Sequence, residues 1–277
     1  MFDEAVSVEV VQHFCRIANH RLGVGIDASH RALVAGRVAK RLHTLQVDAD
    51  EYVNRLNDDH ECNEVIGFLD FLRPRPPRFF ARWEDHVALR AALIRRLADG
   101  RRRIRLWSAG CGTGEEAFGM ALTALGAMEA VKIALPELDI KILATDLSKV
   151  ALQRGKLGVF DEEQLHHVPR TLRSRYFSAT ENGLALDENI KDMVRFCRLN
   201  LSKLPYPMTG PFDAIFCHEA LVPLVPSARA RVARAATDLL AEQGLLRTGF
   251  DDESMTATSD DDDGSVPAGP SGHGGRC

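Results

Sequence analysis

The chain has 277 residues, 45% of them hydrophobic and 27% charged, with a formal net charge of −4. That length holds one large domain or a small one beside a medium one, and the mild acidity gives no overall pull toward nucleic acid. The six cysteines form no CxxC pair and keep no close spacing to histidine, which argues against structural zinc, a disulfide framework or any other metal site and suits a reducing cytoplasm.

The N-terminus, MFDEAVSVEV, is acidic and lacks a positive leader before an apolar stretch, so a secretory signal is not expected. No apolar run approaches the length of a membrane span. Residues 1–72 read as helical. Val34, Val38, Leu42 and Leu45 recur at helical spacing, followed by Tyr52, Val53 and Leu56, then by Val65, Ile66, Leu69 and Leu72. The stretch 73–78 carries Pro74, Pro76 and Pro77 and cannot continue a helix, because proline lacks an N–H and restricts the residue before it. It reads as a linker.

From residue 79 to 250 the pattern becomes alternating strand and helix. Ile104–Trp107, Ile140–Ala144, Val194–Cys197 and Phe212–Cys217 are the strand candidates, and Ala228–Leu240 is a helix candidate. Such alternation implies a mainly parallel sheet covered on both faces. Residues 251–277 are acidic, then rich in glycine, proline and serine, and are expected to stay disordered.

The sharpest motif is Leu106-Trp107-Ser108-Ala109-Gly110-Cys111-Gly112-Thr113-Gly114-Glu115-Glu116. A strand enters a glycine-rich turn and a helix leaves it, with free N–H groups at the helix start. There is no Gly-Lys-Ser/Thr, so the turn is not a P-loop. Two acids at the helix start disfavour phosphate and suit an ammonium group. Asp146 at the end of the second strand is placed to accept ribose hydroxyls, as in dinucleotide folds, and Asn200-Leu201 after the third can meet an adenine edge. A nucleoside joined to an amino acid is S-adenosylmethionine. Taken singly, the turn could be a plain strand–helix connection, and Asp146 a helix N-cap in competition with Ser148.

Trp107–Glu116, Ala144–Leu147, Asn200-Leu201 and Gly210–Cys217 together resemble the CheR-type methyltransferases of chemotaxis receptors, as do Leu33–Leu45, Tyr52 and Phe79-Phe80. The resemblance covers about residues 20–250. It implies a Rossmann-like S-adenosylmethionine-dependent α/β methyltransferase domain (79–250) with a small N-terminal all-helical docking domain (1–72). The implied activity is methyl transfer to glutamate side chains of receptor helices by a cytoplasmic monomer, without nucleic acid or membrane insertion. It further implies that Ala109, Gly110, Gly112, Gly114, Glu115, Asp146, Asn200 and Leu201 hold the cofactor, with Glu115 on the amino group, Asp146 on the ribose and Asn200 near adenine. Residues 178–191 stand where the family inserts a small β-subdomain. Arg37, Lys40 and Arg41 share one helix face, with Arg31 one to two turns earlier, and are the expected docking cations.

The chain departs from the family on the substrate side. Pro77 and Ala81 replace the Thr and Arg of Thr-x-Phe-Phe-Arg, leaving Arg82 one position late as a substitute. The Arg, Asn and Tyr of Cys-Arg-Asn-x-x-x-Tyr-Phe become His218, Glu219 and Pro223, and the final antiparallel strand is missing from the pattern after Gly249. Arg82 and His218 are therefore the catalytic candidates. The alternative to an active enzyme is a regulatory protein that binds S-adenosylmethionine or S-adenosylhomocysteine and has lost transfer.

Overall fold

A computed structural model describes residues 7–72, 78–134 and 137–249. The acidic tail, and the linker apart from Arg78, lie outside the described residues. Four helices come first: α1 (Val8–Leu22), α2 (Ala28–Leu45), α3 (Ala49–Asp58) and α4 (Asn63–Leu72). Side chains start the first three, since Ser7, Asp27 and Asp48 accept from Val10, His30 and Glu51 N–H groups. Gly23 ends α1 in the left-handed conformation.

Then α5 (Trp83–Ala98) leads into β1 (Arg103–Ala109), α6 (Glu115–Ala130), β2 (Asp139–Asp146), α7 (Lys149–Leu157) and the short β3 (Val159–Phe160). After α8 (Arg170–Tyr176) come β4 (Phe177–Thr180), β5 (Gly183–Leu186), α9 (Glu188–Lys191), β6 (Val194–Arg198), β7 (Phe212–Phe216), α10 (Pro226–Thr237) and β8 (Leu240–Arg247). The five-stranded sheet has the order β6-β2-β1-β7-β8 and is parallel throughout. A three-stranded antiparallel sheet, β3-β5-β4, occupies residues 159–186 beside it.

β1 shows how the sheet is held. Ile104 and Leu106 face the core built with α5 and α6, which includes Leu89, Leu93 and Phe118. Trp107 and Ala109 face the other side, the strand period of two. That second core joins Phe14, Val34, Tyr52 and Phe68 of the first four helices to Trp107, Ile215 and Val232. The N-terminal helices thus pack on one another, Phe14 edge-on to Phe68, in a core continuous with that face of the sheet.

One expectation is corrected. Leu240 does not end a helix; α10 stops at Thr237 and Leu240 opens β8, a strand absent from the sequence reading. The strand is hard to see because Ala241-Glu242-Gln243-Gly244 breaks its apolar alternation. Its pairing slips between Phe212 and Ala214, and Gln243 takes a positive φ of 55°.

Candidate functional site

The strand order reverses at β1: from it the chain steps to β2 and β6, then crosses back to β7 on its other side. Loops after β1 and β7 therefore part at the carboxyl edge, the place where parallel sheets bind ligands. A cleft of about 510 Å³ lies there, within the usual range for small-molecule sites. Gly110, Asp146, Asn200, Leu201, Glu219 and Ala220 line its sheet side, and Leu22, Val24, Ile66 and Asp70 of the helical segment close it from above.

The turn after β1 requires its glycines. Gly110 has φ +85°, and a Cβ there would meet the Ala220 Cβ at 2.3 Å. Gly114 has φ +98° and lies under the Phe196 ring. Asp146 is buried at the end of β2. Its carboxylate accepts from Gly112 N at 2.9 Å and from Ser148 N at 2.9 Å, so it fixes the turn that it faces. Ser148, not Asp146, caps α7, accepting from Ala151 N at 3.2 Å.

The helical segment is tied around this cleft. Asn200 Nδ2 donates to the Arg21 carbonyl at 2.9 Å, and its Oδ1 accepts from Ser202 N. Ser202 Oγ donates to the Leu22 carbonyl at 2.6 Å, Ser148 Oγ to Asp70 at 2.7 Å, and Val24 bridges Leu224. Asn200 thus lines the cleft, while the bonds its amide makes go to the end of α1 and to its own loop. Leu201 is buried beside it.

Glu115 opens α6. It is fully buried, accepts from Thr113 Oγ1 at 2.7 Å and from Gln164 Nε2 at 2.5 Å, and is not part of the cleft lining. Glu116, one residue on, meets a group the sequence reading left unconnected. Ser108 Oγ donates to Glu116 Oε1 at 2.6 Å, and His218 Nδ1 donates to Oε2 at 2.7 Å. His218 Nε2 lies 2.9 Å from Asp85 Oδ2, out of line for a good hydrogen bond, and Arg247 Nε lies 2.9 Å from Asp85 Oδ1. His218 is therefore a buried bridge between two carboxylates and, like Arg82, is not among the residues lining the cleft. Arg82 is exposed at the start of α5, its guanidinium lying over Gly249.

Next to this chain of charges, His86 packs between the Phe80 and Phe216 rings with Nδ1 3.0 Å from Thr123 Oγ1. Burial pushes its pKa down to about 4. Burial likewise pushes the Cys111 and Cys217 thiols up, which makes them poor nucleophiles.

The expected cationic face on α2 is partly spent inside the protein. Arg41 pairs with Glu64 of α4, which also accepts from the Tyr52 hydroxyl at 3.4 Å, and the Arg37 guanidinium lies over Gly67. Arg31 and Lys40 are exposed.

Against known families, residues 76–266 match the model of the CheR methyltransferase, SAM binding domain. This chain belongs to the CheR methyltransferase family. It is 29% identical over 241 residues to chemotaxis protein methyltransferase 2 of Pseudomonas aeruginosa, covering 85% of this chain and 83% of that one. It is 29% identical over 245 residues to the chemotaxis protein methyltransferase of Escherichia coli, covering 86% and 82%. The Borreliella burgdorferi protein of the same name is 24% identical over 251 residues, 88% of each chain. This CheR-family protein is accordingly a methyltransferase that uses S-adenosylmethionine. The residues present fit that cofactor: a cleft at the sheet's switch point, a buried carboxylate at the end of β2 and a turn open to close backbone approach. Among the described residues no helix is long and apolar enough to cross a membrane.

Proposed function

We propose that this CheR-family methyltransferase esterifies glutamate side chains on the cytoplasmic helices of chemotaxis-type receptors. The observation that carries the reading is the cleft itself, where Gly110 and Asp146 meet the Glu219–Leu224 loop under the N-terminal helices. When bound, S-adenosylmethionine supplies an electrophilic methyl group on sulfur. Gly110, Gly112 and Asp146 would hold its ribose and amino-acid portion, and Leu201 its base. A carboxylate is nucleophilic at neutral pH without a base, so the protein's task is alignment and exclusion of water. Leu22, Val24 and Ile66 supply the apolar roof. Residues 1–72 form the receptor-facing part in this reading, with Arg31 and Lys40 as its exposed cations and a monomer as the working form.

A second reading, a regulatory binder that has lost transfer, is favoured by one observation. Glu219 lines the cleft and, among the described residues, has no ion-pair or hydrogen-bond partner, so it opposes an incoming carboxylate. Incubation with tritiated S-adenosylmethionine and receptor cytoplasmic fragments decides. Base-labile label on the fragment supports transfer to glutamate. S-adenosylhomocysteine binding with no label on any fragment supports the regulator.

A further inference from the structure

Arg247 stands at the carboxyl end of β8, on the edge of the sheet where the cleft opens, outside the residues that line the cleft itself. Its partner in register is Phe216, whose own partner is Ser108 of β1, so Arg247 lies two strand spacings, about 10 Å, from the strand that feeds the glycine turn. Its side chain bends to the α5 side of the sheet, where Asp85 holds Nε at 2.9 Å.

Asp85 is itself fixed. Its other oxygen lies 2.9 Å from buried His218, which is bonded to Glu116, which is bonded to Ser108. The guanidinium is therefore held through one edge by Asp85, which stands beside the Ser108–Glu116–His218 run that starts at the cofactor strand. Of its remaining N–H groups, one Nη1 bond goes to the Leu246 carbonyl at 3.4 Å, and among the described residues Nη2 has no partner. The side chain is 38% exposed. Arg82 stands nearby, its guanidinium over Gly249, two residues along the chain from Arg247. An arginine gripped at Nε presents its two Nη groups as a fork, the geometry that takes a carboxylate with two hydrogen bonds.

We propose that Arg247, positioned by Asp85 and seconded by Arg82, is a carboxylate-binding residue of the transfer site. It supplies from β8 the positive charge that is missing where His218 replaces arginine at the end of β7. Two carboxylates share this chemistry, that of the acceptor and that of the cofactor's amino-acid portion. The acceptor arm rests on the glutamate reading above; the cofactor arm does not.

The test uses the full chain with Arg247→Gln and Arg247→Lys. Calorimetry compares S-adenosylhomocysteine with 5′-methylthioadenosine, which lacks the amino-acid carboxylate, and initial rates give kcat and KM for a receptor fragment. Loss of a two-pronged charged contact should cost about 10- to 100-fold in Arg247→Gln, with partial recovery in Arg247→Lys. A weakened S-adenosylhomocysteine with unchanged methylthioadenosine assigns the cofactor's carboxylate. A raised KM for the fragment with unchanged nucleoside binding assigns the acceptor's. Nucleoside ligands weakened alike, or no change in any of the three quantities, overturns the proposal. If the unaltered chain transfers nothing, the glutamate reading and the acceptor arm fall together, and the calorimetric pair alone decides Arg247.

Discussion

Around Gly110–Gly114 the surface offered to a ligand is mostly backbone, whereas the region around buried His218 is a run of side chains drawn from β1, α5, α6, the loop after β7 and β8. The first region is set by local sequence: three glycines with positive φ, then a helix start. The second is set by tertiary structure, since Asp85, Ser108, Glu116, His218 and Arg247 meet only when the sheet is assembled. The contrast separates two ways of making a site. One depends on the absence of side chains, and the other on each charge finding its counter-charge.

The side-chain region can be broken at a single position. His218→Leu leaves Glu116 and Asp85 close together with no group between them. Loss of a hydrogen bond to a charged acceptor, here His218 to Glu116, typically costs about 1.5–3 kcal/mol, read as a shift in urea midpoint. A loss under about 1 kcal/mol would mean that water replaces the imidazole, and that the charges are not closed off as described.

In the backbone region the test is the addition of one methyl group. Gly110→Ala must accept φ +85° and a clash with Ala220, together about 3 kcal/mol, and should weaken S-adenosylhomocysteine as well. Gly36 is the control: it sits within α2 with nothing near its missing Cβ, so Gly36→Ala should stabilise by about 0.5–1 kcal/mol. Equal behaviour of the two alanines would refute the conformational account of the turn.

Acid should act between the two regions, at His86. Below pH 6.5 an unfolded chain takes up a proton that the folded chain refuses until about pH 4. The folded pKa is lowered, so stability is full above the unfolded value and is lost as pH falls through this window. The loss is about 3 kcal/mol. His86→Asn keeps an N–H for Thr123 and does not titrate. Its deficit relative to the unaltered chain should therefore shrink by about that amount in denaturation series run from neutrality down to pH 4. A deficit independent of pH would show that His86 titrates alike in both states.

The same contrast explains what was legible in the sequence. β1, β2, β6 and β7 are short apolar runs bounded by polar residues or turns, and each stands where the reading places it. The glycine turn is a local motif and Asp146 ends the next strand of the sheet, and both line or shape the cleft. Glu115 and Glu116 are adjacent, and helical rotation sends one to Gln164 and the other to His218. Nothing local distinguishes them. The α2 cations differ among themselves for a related reason: helical spacing groups Arg37, Lys40 and Arg41 but does not say that Arg41 meets Glu64 of α4 while Lys40 stays exposed.

The central claim, that the cleft under the N-terminal helices holds the adenosyl cofactor against Asp146, is tested most directly by calorimetry of S-adenosylhomocysteine on the unaltered chain and on Asp146→Ala. Because Asp146 also fixes Gly112 and Ser148, circular dichroism and urea midpoint must first show the variant folded. The account predicts binding by the unaltered chain and a loss of about 2–3 kcal/mol in the variant, the worth of one to two charge-assisted hydrogen bonds. Unchanged affinity in a folded Asp146→Ala would contradict it.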